Sequence, residues 1–108
     1  NISSVCALYA WPGWSVYTAA KAGLSKFGHG LYTELRPYGV RVTTITPSWG
    51  ATEFGSAAKL SKQDTEIAKK CMQPEEMGKL VAEICAMPGH LVVPDITVQP
   101  MVQEIIPC

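Results

Sequence analysis

The run Val40-Arg41-Val42-Thr43-Thr44-Ile45-Thr46, closed by Pro47 and set between two helical stretches, restricts the fold most. β-Branched side chains are stiff at χ1 and pack well on a pleated surface, so the run predicts a strand that Pro47 stops. Its pattern is compatible with cover on one face or on both. Upstream, Val16, Ala20, Leu24, Phe27, Leu31 and Leu35 recur at three- and four-residue intervals and predict a helix from Ser15 to about Arg36. Pro37 and Gly39 end it. The stripe can pack on the chain's own sheet or on a second copy. Gly23, Gly28 and Gly30 weaken such a helix intrinsically, so either close packing against neighbours holds it or these glycines are incidental.

The remaining elements follow from punctuation. Asn1 to Ser4 read as the end of a buried strand, and Trp11-Pro12-Gly13 breaks the chain into a loop. Ser61, with Asp64 three residues on, predicts a short polar helix to about Lys70. Pro74-Glu75-Glu76 opens another helix to about Met87, with Met77, Leu80, Val81, Ile84 and Cys85 on its inner face and Pro88-Gly89 as its stop. Leu91 to Val98 forms a last strand, interrupted at Pro94. Strands alternating with helices predict an α/β fold, with parallel strands joined by right-handed helical crossovers.

Bulk properties narrow the function. At 108 residues and 47% hydrophobic, the chain suits a single core. Nine basic and nine acidic residues balance without a basic run, which gives no electrostatic case for nucleic acid or an anionic membrane surface. The apolar runs are too short to span a bilayer. Cys6, Cys71, Cys85 and Cys108 form no C-x-x-C pair or His/Cys cluster, so no metal is expected. The apolar settings of Cys6 and Cys85 favour buried, reduced thiols and hence a cytoplasmic setting. His29 and His90 lack a second ligand-like neighbour and read as structural or surface residues. Lys59, Lys62, Lys69 and Lys70 read as a solvated face.

Tyr17 and Lys21 lie four positions apart on the first helix, hence on one face, one turn apart. A free phenol ionises near about 10, too high for ready proton exchange at neutrality. A neighbouring ammonium favours the phenolate and moves a tyrosine toward general acid–base work. Four-residue Tyr/Lys pairs are common on solvated helices, so two further features carry the reading. Ser4 closes a strand thirteen residues earlier, where its hydroxyl can bond a substrate carbonyl oxygen. The loop Pro47-Ser48-Trp49-Gly50-Ala51-Thr52 leaves the C-terminal end of a predicted parallel strand, where open α/β sheets bind ligands, and its backbone and Thr52 hydroxyl suit a carboxamide. Trp14 and Trp49 are candidate walls of an apolar substrate pocket, with core or rim packing as the plainer role.

Asn-Ile-Ser-Ser, Tyr-x-x-x-Lys-Ala-Gly-Leu, Tyr-Gly-Val-Arg-Val-Thr-Thr-Ile-Thr-Pro and Pro-Glu-Glu-Met, in this order and spacing, resemble the short-chain dehydrogenase/reductase family over nearly the whole chain. The resemblance implies a doubly wound, Rossmann-type parallel sheet and an oxidoreductase that interconverts a carbonyl and an alcohol with NAD or NADP. It implies Tyr17 as catalytic acid/base, Lys21 as its activator and a ligand of the nicotinamide ribose, and Ser4 as the group that polarises the substrate. Pro47, Ser48, Gly50 and Thr52 would meet the nicotinamide end, and Glu53 to about Lys70 would form a flap over a small carbonyl or alcohol substrate. The Tyr17 helix packs against another subunit in many members, which implies a homo-oligomer.

Two positions depart from the pattern: Ser48 stands where the family usually has Gly, and Ala7 where Gly is frequent. The family's Gly-rich turn, its Asn-Asn-Ala-Gly segment and a further catalytic asparagine have no match. Residues 1–108 are therefore expected to be the C-terminal catalytic part of one Rossmann-type domain, about the last three of seven strands with their crossover helices. The alternative is a truncated, non-catalytic remnant serving as an interaction module. An epimerase or dehydratase of the extended branch would need a larger portion after Thr52. A sheet cut here exposes a strand edge, so the piece alone is expected to aggregate or to need a partner. A monomeric, cooperatively melting 108-residue protein would count against that.

Overall fold

The structure, a computed structural model, describes residues 1–54 and 65–104. At its centre lies β1 (Thr44–Pro47), whose Thr44, Ile45 and Thr46 are all buried. Both faces are therefore covered, which the sequence pattern left open. On one side β1 pairs in parallel with β2 (Asp95–Val98), in the register Thr44 to Asp95 through Pro47 to Val98. On the other, the Asn1 carbonyl accepts the Ile45 N–H at 2.8 Å and the Ser3 N–H donates to the Ile45 carbonyl at 2.7 Å. Asn1 to Ser3 thus take the place of a third parallel strand, paired to β1 through a single bridge between Ile2 and Ile45. The α/β architecture is as expected, with two regular strands and this bridge in place of three full strands.

Both strands begin later than their composition predicts, at Thr44 rather than Val40 and at Asp95 rather than Leu91. Pro94 supplies a physical reason. Continued back by two residues, the observed register would set its nitrogen against the Val42 carbonyl, but proline has no N–H to donate. The ladder therefore starts where the Pro94 carbonyl accepts the Thr44 N–H, at 2.8 Å. Arg41, in the segment before β1, donates from its guanidinium to the carbonyls of Cys85 at 3.0 Å and Met87 at 2.9 Å. These lie at the end of α3 (Pro74–Ala86), where helix carbonyls lack partners of their own.

Helix α1 (Ser15–Leu35) matches the predicted span. A 3₁₀ turn (Arg36–Tyr38) and Gly39, at φ 73°, then redirect the chain into β1. α1 meets the sheet through a seam of polar and small residues instead of the whole apolar stripe. Ser3 Oγ bonds Ser25 Oγ at 2.7 Å and donates to the Lys21 carbonyl at 3.1 Å. One turn on, Gly28 is buried so tightly against β1 that a Cβ there would collide with Thr44 Oγ1. No such approach occurs at Gly23 or Gly30, which face open space. Leu24, Leu31 and Leu35 are half-buried, whereas Val16 is 84% and Phe27 59% exposed.

The short helix α2 (Thr65–Ala68) precedes α3, and both lie in the crossover between the parallel strands. The predicted helix start at Ser61 and Asp64 lies outside the described residues. At the start of α3 the Gln73 N–H donates to Glu76 Oε2 at 2.8 Å. Met77, Leu80, Val81 and Ile84 are half-buried as expected. Cys85 is not: it is exposed, because it sits about 100° around the helix from Ile84, at the border of the inner stripe. Cys6 and Cys71 are the buried thiols, and all three described cysteines are free.

Thr44 is 1% exposed and its hydroxyl has no hydrogen-bond partner. Thr44→Val is expected to raise the unfolding free energy of the full-length protein by about 1 kcal/mol, since it removes a buried polar group without breaking a bond. Urea denaturation checks this, and a destabilised variant would count against it.

Candidate active site

Ser4 sits where the first strand segment gives way to a 3₁₀ turn over Val5–Ala7, which it caps. Its Oγ accepts the Cys6 N–H at 3.2 Å, so the hydroxyl proton remains to be donated elsewhere. This is the polarity a carbonyl oxygen requires.

Tyr17 and Lys21 occupy the first turns of α1, half-buried and facing the same way. Lys21 Nζ lies 5.7 Å from the centroid of the Tyr17 ring, within cation–π range. The ammonium also donates to the Ile2 carbonyl at 3.0 Å, which ties it to the strand segment that ends in Ser4. Two of its three protons remain for other acceptors. One strand end and one helix turn therefore present three polar side chains, and the Ser3–Ser25 and Ser3–Lys21 bonds lock the two elements together.

Aromatic rings surround the phenol. Trp14, at the N-cap of α1, packs edge-on against Tyr17 with centroids 5.4 Å apart. Phe54 lies 5.5 Å from Tyr17 and 6.5 Å from Trp14. Phe54 falls in the stretch from Glu53 expected to lie over the substrate, but the sequence singled out only the tryptophans as pocket walls. Its place after the Pro47–Thr52 loop was the available signal. Trp49 takes a different position, lining an open depression with Trp11, Ile67, Val102 and Glu104. The structure thus brings one of the two candidate tryptophans to Tyr17.

The loop after β1 is held on several sides. The Ser48 N–H donates to the Val98 carbonyl and the Ala51 N–H to the Met72 carbonyl, each at 2.9 Å, and the Met72 N–H donates to the Trp49 carbonyl at 3.1 Å. Ser48 Oγ bonds Gln103 Oε1, which also accepts the Trp49 N–H at 2.9 Å. Thr52 Oγ1 accepts the Phe54 N–H at 3.3 Å and so keeps its own proton to donate. Of the loop residues named from sequence, Thr52 therefore has a hydroxyl donor available, while both donors of Ser48 are engaged within the protein.

The His29 ring meets Asp95 Oδ1 at 2.8 Å, joining α1 to β2 at an exposed position, in keeping with a structural role. No cluster of potential metal ligands occurs among the described residues. A groove lined by Ile2, Ile45, Val81 and Ile84 opens on the sheet face that Ile45 presents, opposite the one Thr44 turns to α1. It is separate from the Tyr17 cluster. No helix among the described residues is long and apolar enough to cross a membrane.

Residues 1–66, which include Ser4, Tyr17, Lys21 and the whole loop, match the short chain dehydrogenase family. The chain belongs to the short-chain dehydrogenases. Over 104 residues it is 31% identical to the sulfoacetaldehyde reductase 2 of Chromohalobacter salexigens, covering 93% of this chain and 41% of that protein. Over 111 residues it is 33% identical to an NADP-dependent 3-hydroxy acid dehydrogenase of Salmonella typhi, covering 96% and 44%. A closed serine dehydrogenase complexed with NADP+ superposes with a TM-score of 0.79 at 30% identity, over 97% of this chain and 44% of that one. This short-chain dehydrogenase sequence thus spans about two-fifths of the length of the curated relatives it matches.

Proposed function

We propose that this chain supplies the proton-transfer part of an oxidoreductase that interconverts a carbonyl and an alcohol with a nicotinamide dinucleotide, NAD or NADP. The observation that carries the reading is the grouping of Tyr17, its ring 5.7 Å from the Lys21 ammonium, with the strand end that bears Ser4. The NADP-dependent dehydrogenase and the NADP+-bound serine dehydrogenase among its relatives support it.

When bound, the dinucleotide supplies or accepts a hydride at the substrate carbon. In the reducing direction Tyr17 donates its proton to the substrate oxygen, and in the oxidising direction it removes that proton. Lys21 keeps its ammonium beside the phenol, 5.7 Å from the ring centroid, and ties it to the strand end through the Ile2 carbonyl. Ser4 donates its free hydroxyl proton to the same oxygen and stabilises charge that builds there. The remaining protons of Lys21 suit the ribose hydroxyls, and the Thr52 hydroxyl suits the carboxamide. Trp14 and Phe54 give the substrate side an aromatic wall.

Ser4→Ala in the full-length protein is expected to lower kcat about a hundredfold, since one preorganised donor to a developing oxyanion has an effect of that order. Cofactor affinity should change little. Nicotinamide absorbance, followed against a panel of carbonyls and alcohols, measures both. Absence of nicotinamide-dependent turnover with every compound would overturn the proposal.

The outer stripe of α1 suits self-association. Val16 and Phe27, 84% and 59% exposed, lie on one line with Ala20 and the open Gly23, where a second helix can approach closely. Phe27→Glu is expected to convert an oligomer of the full-length protein to a smaller species by sedimentation, without loss of the folded state. An unchanged sedimentation coefficient would rule this face out.

A further inference from the structure

Gln103 lies in the short tail beyond β2, where the chain turns with its N–H bonded to the Pro100 carbonyl at 3.0 Å. It is only 7% exposed, and its side-chain oxygen is turned to the start of the loop that follows β1. The Trp49 N–H is a donor only, so the group facing it must be the amide oxygen and not the amide nitrogen. That oxygen accepts the Trp49 N–H at 2.9 Å and a second bond from the Ser48 hydroxyl. With two lone pairs, a carbonyl oxygen is fully used by two such donors.

Ser48 is also where this chain departs from the usual glycine of its family. A glycine would leave the second lone pair of Gln103 unfilled and the loop tied to the tail by one bond only. The serine and the buried glutamine therefore make a matched pair, fifty-five positions apart in the chain. Backbone bonds to Val98 and Met72 hold the loop from two other directions. The Gln103 amide is the side-chain tie, and it acts at the two residues that lead from β1 into Gly50 and Thr52.

We propose that Gln103 is a positioning residue that, through Ser48 and Trp49, sets the path of this loop and so presents Gly50 and Thr52 to the nicotinamide end of the cofactor. The proposal rests on the oxidoreductase reading above. It assigns the tail a part in cofactor affinity, through a residue with no place in proton transfer.

The test compares Ser48→Ala, Gln103→Leu and the double variant of the full-length protein, with NADP and NAD as probes. Gln103→Leu strands two donors and is expected to raise the cofactor KM about tenfold, with saturating kcat within about threefold of wild type. Ser48→Ala alone is expected to raise it about threefold. Because both act through one oxygen, the double variant should bind within about twofold of Gln103→Leu. A Gln103→Leu protein that melts earlier but keeps the wild-type cofactor KM would show a mere tail anchor and overturn the proposal, as would fully additive losses. If Gln103→Leu fails to fold, Ser48→Ala decides: a raised cofactor KM supports the clamp and an unchanged one overturns it. A wild-type protein that binds neither dinucleotide would overturn the oxidoreductase reading together with the clamp, whereas wild-type binding that these variants leave untouched would overturn the clamp alone.

Discussion

Tyr17→Phe in the full-length protein is expected to lower kcat about a thousandfold, within the range general acid–base catalysis contributes, while cofactor affinity stays within about threefold of wild type. The substitution isolates the hydroxyl. Phenylalanine keeps the ring that packs edge-on against Trp14 at 5.4 Å and meets Phe54 at 5.5 Å. It also keeps a π-face for the Lys21 ammonium, whose bond to the Ile2 carbonyl is independent of the phenol. A loss of turnover therefore cannot be ascribed to a collapsed site, provided melting and cofactor titration match wild type. Retained turnover would remove Tyr17 from the proton path and with it the reading proposed for the chain. Turnover lost together with cofactor binding would point instead to disruption of the helix start.

The largest expected effect on stability lies one face around the same helix. Gly28→Val in the full-length protein is expected to lower the unfolding free energy by about 3 kcal/mol, at the upper end of the usual cost of overpacking. Any Cβ at this position collides with Thr44 Oγ1 and comes within 3.0 Å of Asn1 Nδ2. Thr44 has little freedom to yield, being β-branched and 1% exposed on the central strand. Gly30→Ala is the internal control. It faces open space on the same helix, so the gain in helix propensity should raise stability by about 0.5–1 kcal/mol. Denaturant titration of the two variants measures both, and a Gly28→Val protein as stable as wild type would mean that α1 does not ride this close to β1. The seam of Lys21, Ser25 and Gly28 also sets the height of Tyr17 and Lys21 above the sheet, so that collision should impair catalysis as well as folding.

Much of this was legible in the residues alone. The order of strands and helices, the span of α1 from Ser15, the opening of α3 at Pro74 and the common face of Tyr17 and Lys21 all follow from local pattern. Backbone geometry repeats every 3.6 residues in a helix and every two in a strand, so neighbours in sequence already carry that information. The family motifs added the roles expected of Ser4, Tyr17 and Lys21, and the match over residues 1–66 is the independent finding that places the chain in that family.

Packing decided what lies between distant residues. An apolar stripe predicts a helix but does not say which line of it touches the sheet. The small residues won that contest on α1, because Ser25 and Gly28 let the backbones approach and left Val16 and Phe27 outside. β-Propensity marked strands from Val40 and Leu91, but a ladder needs a donor on each side, and Pro94 withholds one until Thr44. Ser48 looked like a simple departure in a loop, and nothing in the pattern around Gln103 tied it to that loop. Only when the chain brings β2 alongside β1 does the tail turn back over the loop, and two residues without a shared pattern become partners through one carbonyl oxygen. The sequence determined the elements because their periodicity is local; the tertiary structure decided their faces, their limits and this clamp because those depend on which groups meet when distant segments pack.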